Sequence, residues 1–292
     1  MSSEASVGGH SNAPFATTRA DNWWVEPLLY FCGLSAFLIY ATWRAVFVGH
    51  WWFVGTAEGF GGYVSPFFSP PVWIKDPGLM GHAPLHHALF GDWSAMPGWL
   101  AAVIPPFVVA SPGFLILPFP GTFRFSCYYY RKAYYRSFAG SPPACAVAPM
   151  AAKKKYRGET FLLLFQNLHR YALYAAIAFI GFLSYDAVQG FFRGGQFGVG
   201  VGSIVLLVNV LLLGSYTFGC HSFRHLVGGR KDCFSSCGST GAAQFSLWKK
   251  VTFLNERHMR FAWLSLFWVG FTDFYVWMVS AGHIHDLSTW GG

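Results

Sequence analysis

Five stretches of this chain, 27–48, 98–117, 161–187, 197–218 and 261–282, are long runs of apolar residues. At 1.5 Å of rise per residue, a helix of about 20 residues covers the ~30 Å hydrocarbon core of a bilayer. Each run therefore has the length of a transmembrane helix. Composition agrees: 54% of the 292 residues are hydrophobic, 20% aromatic and only 11% charged, too apolar for a water-soluble globule of this size. The predicted fold is an all-α integral membrane protein, a bundle of five transmembrane helices.

The segments between the runs set the expected organisation. Residues 1–26 are polar and lack the basic start of a secretory signal, so they read as an uncleaved cytoplasmic tail. Arg44, near the end of the first run, is expected to snorkel to the interface. Residues 49–97 form an external loop rich in aromatic residues, Gly and Pro; His82, His86 and His87 within it read as surface residues rather than a metal site. The second run carries Pro105, Pro106 and Pro112, so it must kink or unwind where neighbours can satisfy the freed carbonyls. It is expected to end at Pro118-Phe-Pro120-Gly121. A Gly-rich turn joins the third and fourth runs, and Gly228-Gly229 closes the helical stretch after the fourth. Residues 230–257 read as a polar, basic loop, and 283–292 as an external tail.

Charge orients the bundle. With five spans, residues 1–26, 121–160 and 221–260 share one face and hold sixteen of the twenty Lys and Arg residues. The opposite face holds Lys75 and Arg193. By the positive-inside rule the basic face is cytoplasmic and so is the N-terminus, in a multi-pass protein of the inner (plasma) membrane. The net charge of +8 is thus a topology signal and not a nucleic-acid footprint. Six cysteines are too scattered for a disulfide framework, and Cys233 and Cys237 read as two thiols in a reduced loop.

This topology gathers polar residues at one level. The second span exits just before Cys127, the third enters with His169, the fourth exits with Cys220, His221 and His225, and the fifth enters after His258. Ionisable groups at membrane depth are costly and mark function. Thiolates with imidazoles select zinc or an iron–sulfur cluster, whereas facing histidines suit a b-type haem. Zinc cannot change oxidation state, which leaves membrane placement without a purpose. Singly, each of these residues could merely pack; Asp186 and Asp273 are further polar residues in the outer half.

The motifs Cys127-Tyr-Tyr-Tyr-Arg-Lys-Ala-Tyr-Tyr-Arg136, Pro142-Pro-Ala-Cys-Ala-Val147, Gln166-Asn-Leu-His-Arg-Tyr171, Tyr216-Thr-Phe-Gly-Cys-His-Ser-Phe-Arg-His-Leu-Val-Gly-Gly-Arg230 and Arg257-His-Met259 resemble the membrane subunit of actinobacterial-type (type F) succinate dehydrogenase. The resemblance runs from about residue 100 to 280. It implies a respiratory complex II in which a flavoprotein oxidises succinate, an iron–sulfur subunit relays electrons, and this subunit passes them to quinone, expected to be menaquinone. It also implies a Rieske-type [2Fe-2S] cluster in the membrane, with two of Cys127, Cys145 and Cys220 on one iron and two of His169, His221 and His258 on the other. His225 is a reserve ligand. Tyr129, Arg131, Arg170 and Arg224 are the expected quinone-binding groups, and Arg131, Lys132 and Arg136 could guide the iron–sulfur subunit. The alternatives are a haem b subunit of another quinone-linked dehydrogenase and a transporter, for which no inverted repeat is visible.

Overall fold

The computed structural model describes residues 13–47, 49–53, 62–72, 98–103, 105, 111, 113–150, 160–229 and 238–290. His82, His86, His87, Cys233 and Cys237 lie outside the described residues.

The first helix, α1 (Val25–Val46), has Glu26 in its first turn and Arg44 in its last, the arrangement that suits the helix dipole. A short antiparallel pair follows, β1 (Trp52–Phe53) with β2 (Tyr63–Val64). Then come α2 (Gly98–Val103), α3 (Gly113–Ile116), α4 (Pro118–Ser126) and α5 (Tyr128–Ala133), the last prolonged by a π-helical turn at Tyr134–Phe138. The long α6 (Thr160–Gln189) leads through the hairpin β3 (Phe192–Arg193) and β4 (Gln196–Phe197) to α7 (Val201–Phe218). Gly194 and Gly195 turn that hairpin at φ of 57° and 78°, values that side-chain-bearing residues rarely adopt. The chain closes with α8 (His221–Gly228), α9 (Gly238–Glu256) and α10 (His258–Ser280).

Four of the helical stretches are long and apolar enough to cross a membrane: Val25–Val46, Leu164–Gln189, Val201–Phe218 and His258–Ser280. The expected second span differs. Among its described residues are α2 and α3, and helix resumes at Pro118, where the sequence reading placed the end. Proline explains the restart: at the first position of a helix no donor is needed, so Pro118 can open one. Two further readings are corrected. Residues 238–256, expected as loop, form α9, and among the described residues two short hairpins depart from the expected all-α fold.

Helix α7 packs against both α6 and α10, α4 lies along α6, α9 packs on α8, and α1 touches α10 and the π-turn. Apolar side chains at these contacts form an inner core that includes Leu34, Phe123, Tyr130, Leu173, Tyr216 and Leu266. A second core contains Trp51, Trp52, Phe67, Phe68 and Val269, so parts of the expected external loop are buried against the helices.

Arg44 does not snorkel. It is 1% exposed, and its Nε donates to Asp273 Oδ2 at 2.7 Å. Tyr40 and Ser65 donate to the same carboxylate, and Arg44 also reaches the Gly49 carbonyl. The physical reason is the partner: Asp273, 0% exposed on α10, supplies the opposite charge that lets a guanidinium stay buried. A second carboxylate, Asp286, accepts from Arg193, Tyr63, Tyr275 and the Gly202 N–H, tying the C-terminal segment to both hairpins and to the start of α7.

Candidate functional site

Two helix breaks build the site. Cys127 separates α4 from α5 with φ −65° and ψ 138°, and Cys220 separates α7 from α8 with φ −63° and ψ 142°. In both cases the cysteine is extended and caps the next helix, so its sulfur lies beside that helix's unpaired N–H groups. The Ser222 N–H donates to Cys220 Sγ at 3.3 Å. Burial pushes the Cys220 thiol up to about 11, against the opposing pull of the Ser222 and Phe223 N–H groups. It also raises the Cys127 thiol, opposed by the N–H groups of Tyr129 and Tyr130. A cation bound there would have to displace these protons, as metal ligation by thiolate does.

The imidazoles arrive from the other two helices. His169 on α6 sets Nδ1 against the Phe123 carbonyl at 3.0 Å and Ser126 Oγ at 3.1 Å. A carbonyl can only accept, so Nδ1 carries the hydrogen and Nε2 presents its lone pair. That Nε2 lies 3.0 Å from Cys220 Sγ. His258, at the first position of α10, places Nε2 3.7 Å from Cys127 Sγ. Aromatic rings fix both imidazoles: Phe123 stacks on His169 at 4.5 Å and Tyr216 on His258 at 4.9 Å. The result is two cysteine–histidine pairs inside the inner core. Among the described residues no three such side chains converge on the position of a single ion.

The remaining expected residues are not brought to these pairs. Cys145 is exposed, and its carbonyl accepts from Arg19 Nη1 at 2.9 Å, on a loop held to the N-terminal segment. His221 and His225 are exposed on α8. Of the expected quinone residues, Tyr129 comes nearest, its ring 5.7 Å from that of His258. Arg131 is buried over the Phe165 ring, Arg170 is exposed, and Arg224 stacks over Trp248 at 4.4 Å while donating to Thr252 Oγ1.

The sequence reading missed Arg124. Counted there as a loop cation, it lies on α4 within the bundle, donating to Tyr130 Oη at 2.6 Å, the Ala262 carbonyl at 3.1 Å and Ser265 Oγ at 3.0 Å. Its guanidinium sits over the Tyr216 ring at 4.8 Å. A sequence signal existed: Arg124 is three residues before Cys127, but placing the end of the span at Pro118 moved it out of the membrane.

A family model for the actinobacterial succinate dehydrogenase subunit SdhC matches residues 25–282. The chain belongs to this family. As an SdhC-family protein it is a subunit of succinate dehydrogenase, an oxidoreductase. Its fold is similar to a chain of the solved Mycobacterium smegmatis Sdh1 complex in the apo form, with a TM-score of 0.76, 42% identity and 94% of each chain covered. No curated protein matches it.

Proposed function

We propose that this SdhC-family subunit anchors the flavoprotein and iron–sulfur subunits of succinate dehydrogenase to the membrane and passes their electrons to quinone, with Cys127, Cys220, His169 and His258 holding a Rieske-type [2Fe-2S] cluster. The observation that carries this reading is the meeting of two thiols at helix breaks with two imidazoles from two further helices, inside an apolar core. A two-iron cluster spreads four ligands over two atoms, so two facing pairs suit it better than one ion. When bound, such a cluster takes up and releases one electron at a potential raised by its imidazole ligands.

The chain's own residues prepare for this. The Phe123 carbonyl holds the His169 tautomer so that Nε2 is free to ligate, and the helix breaks free the cysteines from their helices. Phe123, Tyr216 and Tyr130 shield the group from water. Orientation follows the basic residues: even with Arg124 inside the bundle, Lys and Arg are concentrated on the face proposed as cytoplasmic. The segment 98–126 would then complete a fifth crossing.

Electron paramagnetic resonance of the purified complex after mild reduction tests the reading. A rhombic signal of low average g is expected, lost in His169→Ala and His258→Ala and kept in Cys145→Ser and His221→Ala. A low-spin haem signal in its place would overturn the cluster.

A further inference from the structure

We infer that the outer half of the bundle carries a hydrated proton route through Asp186, so that the protons consumed in quinone reduction enter from the face opposite the basic one. The inference rests on the quinone-reducing reading and the orientation proposed above, and it concerns the source of the protons, not the place of the quinone.

A buried polar layer crosses the outer half. Asp186, on α6 close to its end at Gln189, accepts from Ser69, and Ser65 of the same segment donates to Asp273 on α10. Tyr40 and Arg44 reach Asp273 from α1. Asn209 enters from α7. It lies between Leu206, which shares a cluster with Val276, and Leu213, which packs on the cluster of Val269. Asp273 lies between the same two valines of α10, so the amide and the carboxylate stand at one level.

Several groups here ask for partners that the described residues do not supply. Asn209 is 1% exposed, and neither its Oδ1 nor its Nδ2 is hydrogen-bonded. The same holds for the buried Nε1 of Trp51, in the cluster of Val269, and for Oε1 of Gln189, three residues beyond Asp186 on α6. Unpaired polar atoms are costly in a protein interior, and ordered water that finds several of them is the usual remedy. Water is therefore the ligand that this chemistry selects.

Asp186 is the member of the layer that can pass a proton on. The cations on the elements around it are committed elsewhere, Arg44 to Asp273 and Arg193 to Asp286. A carboxyl at membrane depth without a counter-charge gains and loses a proton without breaking an ion pair, which is the use that relays make of such residues. Gln189 leads outward from it. Inward, the layer borders a cavity of about 370 Å³, lined by Ala45, Pro66, Leu213 and Val269 beside the layer and by Thr217 and Arg124 further in. The carboxyl gives its proton through water to the quinone as electrons arrive, and the carboxylate takes another from external water. Two electrons from succinate and two such protons give the quinol, while the protons of succinate oxidation are released at the soluble subunits. Electrons then enter from one face and protons from the other, so turnover moves charge across the membrane.

The test places the whole complex in lipid vesicles with a short-chain naphthoquinone and a pH dye trapped in a weakly buffered lumen. Succinate added outside is a dianion that does not cross the bilayer, so only complexes with their soluble subunits outward turn over. The lumen is expected to turn alkaline by two protons per quinone reduced, and potassium with valinomycin, which collapses the potential, is expected to raise the rate. Asp186→Asn is expected to abolish the alkaline shift and lower kcat about tenfold with little change in KM for the quinone. Asp186→Glu should restore both, and Asn209→Leu should slow proton uptake with succinate oxidation by an artificial acceptor unchanged. Quinone reduction by the parent with no lumenal shift, or an Asp186→Asn variant that matches the parent in both readouts, would sink the inference and leave quinone reduction standing. Failure of the parent to reduce any quinone would overturn the underlying reading as well.

Discussion

Asp273 and Asp186 are two carboxylates buried in the same bundle under different terms. Asp273 is paired with Arg44 and further bonded by Tyr40 and Ser65. Asp186, 6% exposed on α6, accepts from Ser69 and, among the described residues, has no ion-pair partner. Removing one member of a buried pair strands the other charge, at a cost of about 3–5 kcal/mol. Asp273→Asn should therefore lower the thermal midpoint of the detergent-solubilised complex sharply. Asp186→Asn keeps an acceptor for Ser69 and relieves an unpaired buried group, so its midpoint should stay level or rise. Equal losses in the two variants would refute this account. The same logic explains why Arg44 was misjudged: its position near a helix end was visible, but its partner is 229 residues away.

Among the elements, α8 and α9 form a helical pair that no hydropathy reading revealed, because neither has the length and apolarity of a span. Their contact depends on Gly228, where an added Cβ would meet the Trp248 ring. Trp248 is in turn covered by the Arg224 guanidinium, and Gln244 donates to the Val227 carbonyl. Gly228→Ala should force the helices apart at a cost of about 1–3 kcal/mol, the usual range for overpacking. Hydrogen exchange should show faster exchange confined to α8 and α9, while α7 and α10 keep their protection. Unchanged exchange in α9 would show that the pair tolerates the methyl group. The segment before α4 illustrates the reverse case: its apolar character was legible, but that Pro118 opens a helix instead of ending one was not.

For the whole molecule, orientation is the property that a single experiment can decide. Cys145 is exposed on the face proposed as cytoplasmic, and Ser288 lies near the opposite end, where Gly200 and Ser288 bridge. An impermeant maleimide should label Cys145 in inverted vesicles and not in right-side-out ones. A Ser288→Cys variant should show the opposite pattern, with labelled peptides identified by mass spectrometry. Labelling of Cys145 from the outer side would invert the proposed topology and detach the basic face from the soluble subunits.

Hydropathy is a property of neighbours along the chain, so four of the five expected membrane helices could be read directly from the residues. The motif resemblance likewise needed only contiguous residues, and it led to the family that the chain belongs to. Three cysteines and four histidines, however, competed for four places. The pairs that meet are Cys127 with His258, 131 residues apart, and His169 with Cys220, 51 apart. Their meeting depends on two extended cysteines at helix breaks and on how α4, α6, α7 and α10 pack. Arg124 and its cavity were hidden for the same reason. A span boundary drawn at Pro118 ends one element too early, and only the packed bundle shows that the helix resumes and turns its cation inward.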